Sequence, residues 1–271
     1  MNNGDVDFSL LLPTRRRVPL VRRLFDSVMA TCTDASRLEI VLYVDEDDRE
    51  SQQIDQSNLA VIKIIGQSGE TMGTMNQACY DASHGRYVML MNDDAVFRTI
   101  GWDVRVLEAA RRFPDNIALI YGNDLDQGKL VPTFPILPRA VCDVLGEICP
   151  RSYQNLHIES HLMDIFKQLA KLGHDRICYL QDVIFEHMHH AIGKATLDSI
   201  YIKRNQRADD LLFMALDDER TFKAKLLAEQ IEPKTYEDCR ASGQGTGFKA
   251  ICSSRKAGLA KVMRGIFQRG R

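Results

Sequence analysis

Residues 8–12 (FSLLL) form a short apolar run that Pro13 stops, and this run constrains the fold more than any other feature. No polar alternation marks a solvent face, so it reads as a buried parallel strand covered on both sides. A helix follows over 19–30, with Pro19 at its start and Leu20, Val21, Leu24, Phe25 and Val28 on one side. The same alternation continues. Strands are expected at 38–44, 61–65, 87–91 and 117–121, and helices at 74–83 and 101–112. Such an order implies right-handed βαβ crossovers and a mostly parallel sheet. Ligands of these sheets bind beyond the carboxyl ends of the strands. Thr14 and Arg15, Asp45 and Asp47, and Asn92, Asp93 and Asp94 follow three of the strands, and so become candidates for one shared site.

After Tyr121 the rhythm changes. Residues 131–138 contain Pro132, Pro135 and Pro138 and read as an extended loop. A short helix over 139–145 stops at Gly146. A longer one over 160–172 is expected to be capped by Ser160 and ended by Gly173. Strand pieces at 177–180 and 183–185 lead to the histidine-rich 186–190 (EHMHH), and two helices are expected within 196–228.

The 271 residues are 45% hydrophobic, enough for a large α/β core. There is no apolar run of about 18 residues, so no transmembrane helix is expected. The first residues lack the basic and apolar segments of a secretory leader. Seven scattered cysteines without a CxxC pair suit a reduced, cytoplasmic protein. Charge is divided unevenly: residues 239–271 carry eight Lys or Arg and no acid, leaving 27 basic and 37 acidic residues before them. Within that tail Leu259, Val262, Met263, Ile266 and Phe267 form an apolar stripe with Lys261, Arg264 and Arg269 between. A basic amphipathic helix of this kind suits an anionic membrane surface, with peripheral association, or nucleic acid; it also suits packing on the body of the protein.

Two motifs carry chemistry. The strand YVMLM delivers Asn92-Asp93-Asp94 at its carboxyl end, and adjacent carboxylates are the hard ligands that Mg2+ or Mn2+ needs beside a nucleotide diphosphate. A plain strand-ending turn has the same composition. The second motif holds His187 and His189, which share a face in extended chain. They suit a metal or diphosphate site, a zinc site completed by His190, or a solvated loop.

In order along the chain, Pro13-Thr14-Arg15, Asp45, Gly73 with Asn76, and Asn92-Asp93-Asp94 resemble the motifs of family-2 glycosyltransferases. The following Phe97 to Gly101-Trp102-Asp103 looks like the version seen in bacterial and phage members. The resemblance covers roughly residues 8–205. It implies a GT-A type α/β fold, a mostly parallel Rossmann-like sheet flanked by helices, with a helical C-terminal extension. The implied organisation is a catalytic domain over 1–205, with a nucleotide-sugar half at 1–125 and an acceptor half at 126–205, and an extension over 206–271. The implied donor is a nucleotide-diphosphate sugar, a UDP-sugar first among them, and the implied cofactor is Mn2+ or Mg2+. By the same resemblance Asp94 is a metal ligand, with His187 and His189 as further ligands, and Asp93 contacts metal or sugar. Asp45 faces the base, while Pro13, Thr14, Arg15, Asp47, Asn76 and Asn92 line the donor. Asn92 departs from the family's DxD pattern, since an amide adds no charge. Transfer with inversion needs a general base at the acceptor hydroxyl. Glu159 and Asp164, at the start of the 160–172 helix, are the candidates; both also suit a helix N-terminus electrostatically.

Rival readings lack their glycines. A sugar nucleotidyltransferase needs a glycine-rich loop after the first strand, and 13–19 (PTRRRVP) has none. No GxGxxG follows a strand, which speaks against a dinucleotide-dependent dehydrogenase. A nucleic-acid-binding protein using the basic tail is the non-enzymatic alternative. An enzyme that glycosylates modified DNA bases would combine the two.

Overall fold

The structure, a computed structural model, describes residues 6–55, 58–189, 193–194 and 206–232. Its centre is an eight-stranded sheet in the order β3-β2-β1-β4-β7-β6-β8-β5. The parallel strands are β1 (Phe8–Thr14), β2 (Leu38–Asp45), β3 (Ala60–Gly66), β4 (Tyr87–Leu90), β6 (Leu119–Asn123) and β8 (Ile177–His187); β5 (Ala95–Phe97) and β7 (Ile136–Pro138) run against them. This is a mixed, mostly parallel α/β sheet flanked by helices, as the sequence implied.

The first half follows the periodicity closely. Every residue of β1 and β2 is buried, because helices cover both faces. Helix α1 (Val18–Thr31) buries Val18, Val21, Leu24, Phe25 and Val28 against the sheet. Each such side chain contributes about 1.5–3 kcal/mol on burial. Pro13 does not end β1: the strand continues to Thr14, with Pro13 in register with Tyr43. Pairing with β4 ends at Leu11 and Leu90, and the Leu11 carbonyl accepts from Met91 on that side. Alternation turns residue 13 toward the same side, where no further ladder partner needs its N–H.

The second half departs from the expectations. Residues 136–138 are not loop but β7, inserted antiparallel between β4 and β6; Pro135 lies before it and Pro138 is its last residue, where a missing donor is tolerated. The two strand pieces are one strand, β8, whose pairing with β6 shifts between Gly122 and Asn123. A Cβ on Gly122 would lie 2.5 Å from the Val183 carbonyl, so only glycine fits that shift. Strand β5 was not expected; it pairs Ala95 with His187.

Four further helices lie along the body: α2 (Arg49–Gln52), α3 (Met72–Ala82), α4 (Trp102–Ala110) and α5 (Arg139–Leu145). Helix α6 (Ile158–Lys171) starts at His157, a left-handed residue with φ 68°, rather than at Ser160, which falls inside the first turn. Trp102 of α4 is fully buried against Phe8, Phe97 and Phe185. Asp103 accepts from the Thr33 and Asp34 amides, so the Gly101-Trp102-Asp103 motif is structural.

Helices α7 (Gln206–Ala215) and α8 (Asp217–Ile231) follow, and the chain through Ala228 forms one compact unit with the sheet. Arg220 of α8 is buried, 2.7 Å from Asp164, and its guanidinium lies 3.9 Å from the centre of the Phe213 ring. Lys223 is buried between Glu147 and Glu219. Buried cations of this kind are tolerated because each has carboxylate partners. The start of the helical stretch expected from 196, and the basic amphipathic stripe at 259–267, lie outside the described residues. Among those described, no helix is long and apolar enough to cross a membrane, and Cys32, Cys79, Cys142, Cys149 and Cys178 are free thiols.

Candidate active site

A cleft of about 870 Å³ opens over the carboxyl ends of β1, β2, β4 and β8. The chain order reverses between β1 and β4, the place where open α/β sheets bind ligands.

The turn after β1 forms one wall. Its Arg15 guanidinium pairs with Asp45 at the end of β2 and with Asp47, 2.7 Å away. Arg15 and then Ser68 hold the Asp47 carboxyl down to about 2. Arg16 adopts φ 54°, and its amide donates to Asp48. Asp45 is buried; one carboxylate oxygen takes Arg15, while the other, Oδ1, has no hydrogen-bond partner among the described residues. Asn76 on α3 is similar: its amide nitrogen donates to the Met72 carbonyl and its buried Oδ1 has no partner among the described residues. Two buried acceptors without donors are costly unless a ligand supplies N–H or O–H groups.

Asp93 and Asp94 follow β4 and are both buried. Thr14 donates to Asp93 over 2.8 Å, and Arg17 pairs with it at 2.9 Å. Burial pushes the Asp93 carboxyl up to about 6, helped by the charge of Asp94 and opposed by Arg17 and Thr14. Asp94 turns the other way. Its Oδ1 lies 3.3 Å from His187 Nε2, and its carbonyl accepts from the Met188 amide. The β5–β8 pairing brings these distant segments together. Burial lowers the His187 pKa, but the Asp94 carboxylate outweighs it and the net direction is upward. The His189 ring lies 5.0 Å from that of His187, on the same cleft.

The sequence reading missed the end of β6. Asp124, Asp126 and His187 each place a ligand atom within 4.8 Å of the others. Asp124 also accepts from the Asp126 and Gly128 amides and from Thr133, which fixes the turn that carries Asp126 to the cleft. The signal was present: Asp124-Leu125-Asp126 follows an expected strand, as Asn92-Asp93-Asp94 does. The donor set of two or three carboxylates and an imidazole suits a hard divalent cation.

Glu159 lies in the first turn of α6 and lines the cleft beside Asn155 and Leu156. Asp164 does not line it; its carboxylate is 2.7 Å from buried Arg220. Asp47 also stands outside the lining and reaches the cleft through Arg15. Pro13, Thr14, Arg15, Asp45, Asn76, Asn92, Asp93, Asp94, His187 and His189 are all brought to the one cleft.

No protein-family model matches the sequence, and no curated protein sequence does. Solved structures share the fold. TarS of S. aureus matches with a TM-score of 0.54 and 17% identity over 83% of this chain, which spans only 43% of that one. TarS 1–349 in complex with UDP matches at 0.52 with 18% identity, over 90% of this chain and 74% of that one. Glucosyl-3-phosphoglycerate synthase from Mycobacterium tuberculosis, in complex with Mn2+, UDP and phosphoglyceric acid, matches at 0.52 with 14% identity, over 81% and 80%. The mannosyltransferase PcManGT from Pyrobaculum calidifontis, in complex with GDP-Man and Mn2+, matches at 0.50 with 12% identity, over 89% and 79%. At these identities the likeness is one of fold: the chain has the GT-A fold of these glycosyltransferases.

Proposed function

We propose that this chain is a metal-dependent glycosyltransferase that moves a sugar from a nucleotide-diphosphate sugar, a UDP-sugar first among them, to an acceptor hydroxyl with inversion. One observation carries the reading. A single cleft at the switch point joins an unpartnered buried acceptor, Asp45 Oδ1, to the paired Asp94 and His187. The first suits the N–H of a nucleotide base, and the second suits a cation beside a diphosphate. Neighbours crystallised with UDP, GDP-Man and Mn2+ support it.

Asp94 and His187 would hold Mn2+ or Mg2+, with Asp126 and His189 at hand. When bound, the ion supplies the positive charge that a departing nucleotide diphosphate requires. The protein's own residues do the rest. Asp45 and Asn76 orient the nucleoside, and Asp93, fixed by Thr14 and Arg17, faces the sugar. Arg15 offers a cation to the diphosphate when it leaves Asp45. Glu159 takes the proton of the acceptor hydroxyl as the new bond forms. The basic tail, with eight cations and no acid, suits an anionic surface or nucleic acid near the acceptor.

Thermal shift with UDP, GDP and their sugars, with and without Mn2+, tests this reading. A nucleotide-dependent rise in Tm that needs Mn2+, and is lost in Asp94→Ala, is expected. A wild-type chain that no nucleotide stabilises in either condition would overturn it.

A further inference from the structure

The loop before α6 is held by a carboxylate from a remote helix. Asp209 of α7 is 1% exposed. Its Oδ1 accepts from the Gln154 amide at 2.8 Å, and its Oδ2 accepts from the amides of Asn155 at 2.9 Å and Leu156 at 2.8 Å. Three successive backbone N–H groups turned toward one point form an anion-binding concavity. Here the anion belongs to the chain itself. The next residue, His157, holds the left-handed conformation that starts α6 and has no side-chain cap. Its Nε2 lies 2.7 Å from Asp210, and its ring lies 5.0 Å from that of Phe213. Two consecutive carboxylates of α7 thus grip four consecutive residues of the loop.

The other side of the loop is tied to the donor half. The Met72 and Gly73 amides donate to the Gln154 and Tyr153 carbonyls at 3.1 and 3.0 Å, and Thr71 donates to the Arg151 carbonyl. A Cβ on Gly73 would lie 2.2 Å from the Pro150 carbonyl, so the loop and α3 are in direct backbone contact. Gln154 therefore bonds α3 through its carbonyl and α7 through its amide. Immediately beyond it Asn155, Leu156, Ile158 and Glu159 line the cleft, on the side that the proposed function assigns to the acceptor.

We infer that Asp209, seconded by Asp210, is a positioning residue: it fixes the acceptor wall and aims the Glu159 carboxylate while leaving the nucleotide site alone. What Glu159 does once aimed rests on the glycosyltransferase reading. The separation follows from the bonding. Among the described residues the hydrogen bonds of the Asp209 carboxylate go to the loop that carries Glu159, whereas Asp45 and Asp94 are fixed by β2, β4 and β8. A misplacement of about 1 Å in a reacting group can cost on the order of 100-fold in rate.

The test uses the full chain with Asp209→Asn, which keeps one acceptor oxygen, and Asp209→Ala, which keeps none. Leu227→Ala, a cavity at a buried residue of α8 outside the cleft lining, serves as a control for lost stability. Three readouts are needed: hydrogen exchange, UDP affinity in Mn2+, and cleavage of UDP-glucose. Both Asp209 variants should speed exchange of the 154–156 amides and leave those of β1 and β4 protected. UDP affinity should stay within about twofold, while cleavage falls by about tenfold or more, further in Ala than in Asn. Leu227→Ala should lower Tm without that loss of rate. Unchanged exchange at 154–156 in Asp209→Ala would overturn the inference. So would wild-type cleavage in a variant whose loop is released, or a loss of rate matched by Leu227→Ala at equal Tm. Failure of the glycosyltransferase reading looks different: the wild-type chain then neither binds UDP nor cleaves UDP-glucose, and the exchange experiment still decides whether Asp209 holds the loop.

Discussion

The two halves of the cleft are built in different ways. The wall we assign to the donor comes from β1, β2 and β4, neighbours in one parallel run, and its charged groups meet across adjacent strand ends: Arg15 with Asp45, Arg17 and Thr14 with Asp93. The wall we assign to the acceptor, which carries Glu159, has no such local logic. Its loop is held by α3 on one side and α7 on the other. The donor side is thus a property of the sheet, and the acceptor side is a property of long-range clamps. Under the proposed function the difference separates binding from turnover, so substitutions in the two walls should damage different steps.

The largest effect should come from the acceptor wall. Glu159→Gln should lower transfer by about 100-fold or more while UDP affinity in Mn2+ is retained. Asp164→Asn should keep transfer within a few-fold and act on stability, by about 1–3 kcal/mol, because it leaves buried Arg220 with fewer partners. Steady-state rates with isothermal titration read both. The reverse ranking would mean that α6 presents a different acid to the acceptor, and the contrast between the walls would lose its catalytic half.

The donor wall offers a pH signature. Asp93 has its carboxyl raised from 3.8 to about 6, by burial first and by Asp94 second. Between those values the folded chain binds a proton that the unfolded chain does not. Stability of the metal-free protein should therefore fall as pH rises through that window, by as much as about 3 kcal/mol from this group. Denaturant titrations from pH 4 to 7 should show the decline, and Asp93→Asn should flatten it. An equal slope in the variant would place the titrating group elsewhere.

The seam between the walls should respond more modestly. Gly73→Ala pushes a methyl group toward the Pro150 carbonyl and the Arg151 backbone. A destabilisation of about 1–3 kcal/mol is expected, with exchange quickened at 150–156 ahead of the core strands. If β1 and β4 open together with the loop, the two walls form one cooperative unit.

What the sequence made legible follows the same division. Apolar periodicity located β1, β2, β3, β4 and β6, and the strand-end rule gathered Thr14, Arg15, Asp45, Asn92, Asp93 and Asp94 beside one cleft. Those elements are set by local patterns, which a reading of periodicity can see. Strands β5 and β7 are three residues each and owe their existence to partners far along the chain, so no local pattern announces them. His187 was expected from the resemblance, yet its contact with Asp94 depends on β5. Asp126 was overlooked although its Asp-x-Asp spacing stood after an expected strand. Asp209 had no signal: a carboxylate on a helix surface looks the same in sequence whether it meets water or three amides.

The place of β7 also fixes an order of events in folding. It is the only strand that joins β4 to β6 in the described sheet, and it lies at 136–138, after every strand of the donor half. During synthesis the β1–β4 portion can gather its parallel neighbours before β7 exists, but the sheet cannot become continuous until that tripeptide is available. Strand β5 waits longer still, for a partner some ninety residues downstream, which makes Asp94 and His187 a late pair. A chain interrupted shortly after β4 would expose the edge that β7 later covers, and an uncovered strand edge recruits other chains. Truncations ending before 136 should therefore aggregate, whereas the intact chain hides that edge inside its own sheet.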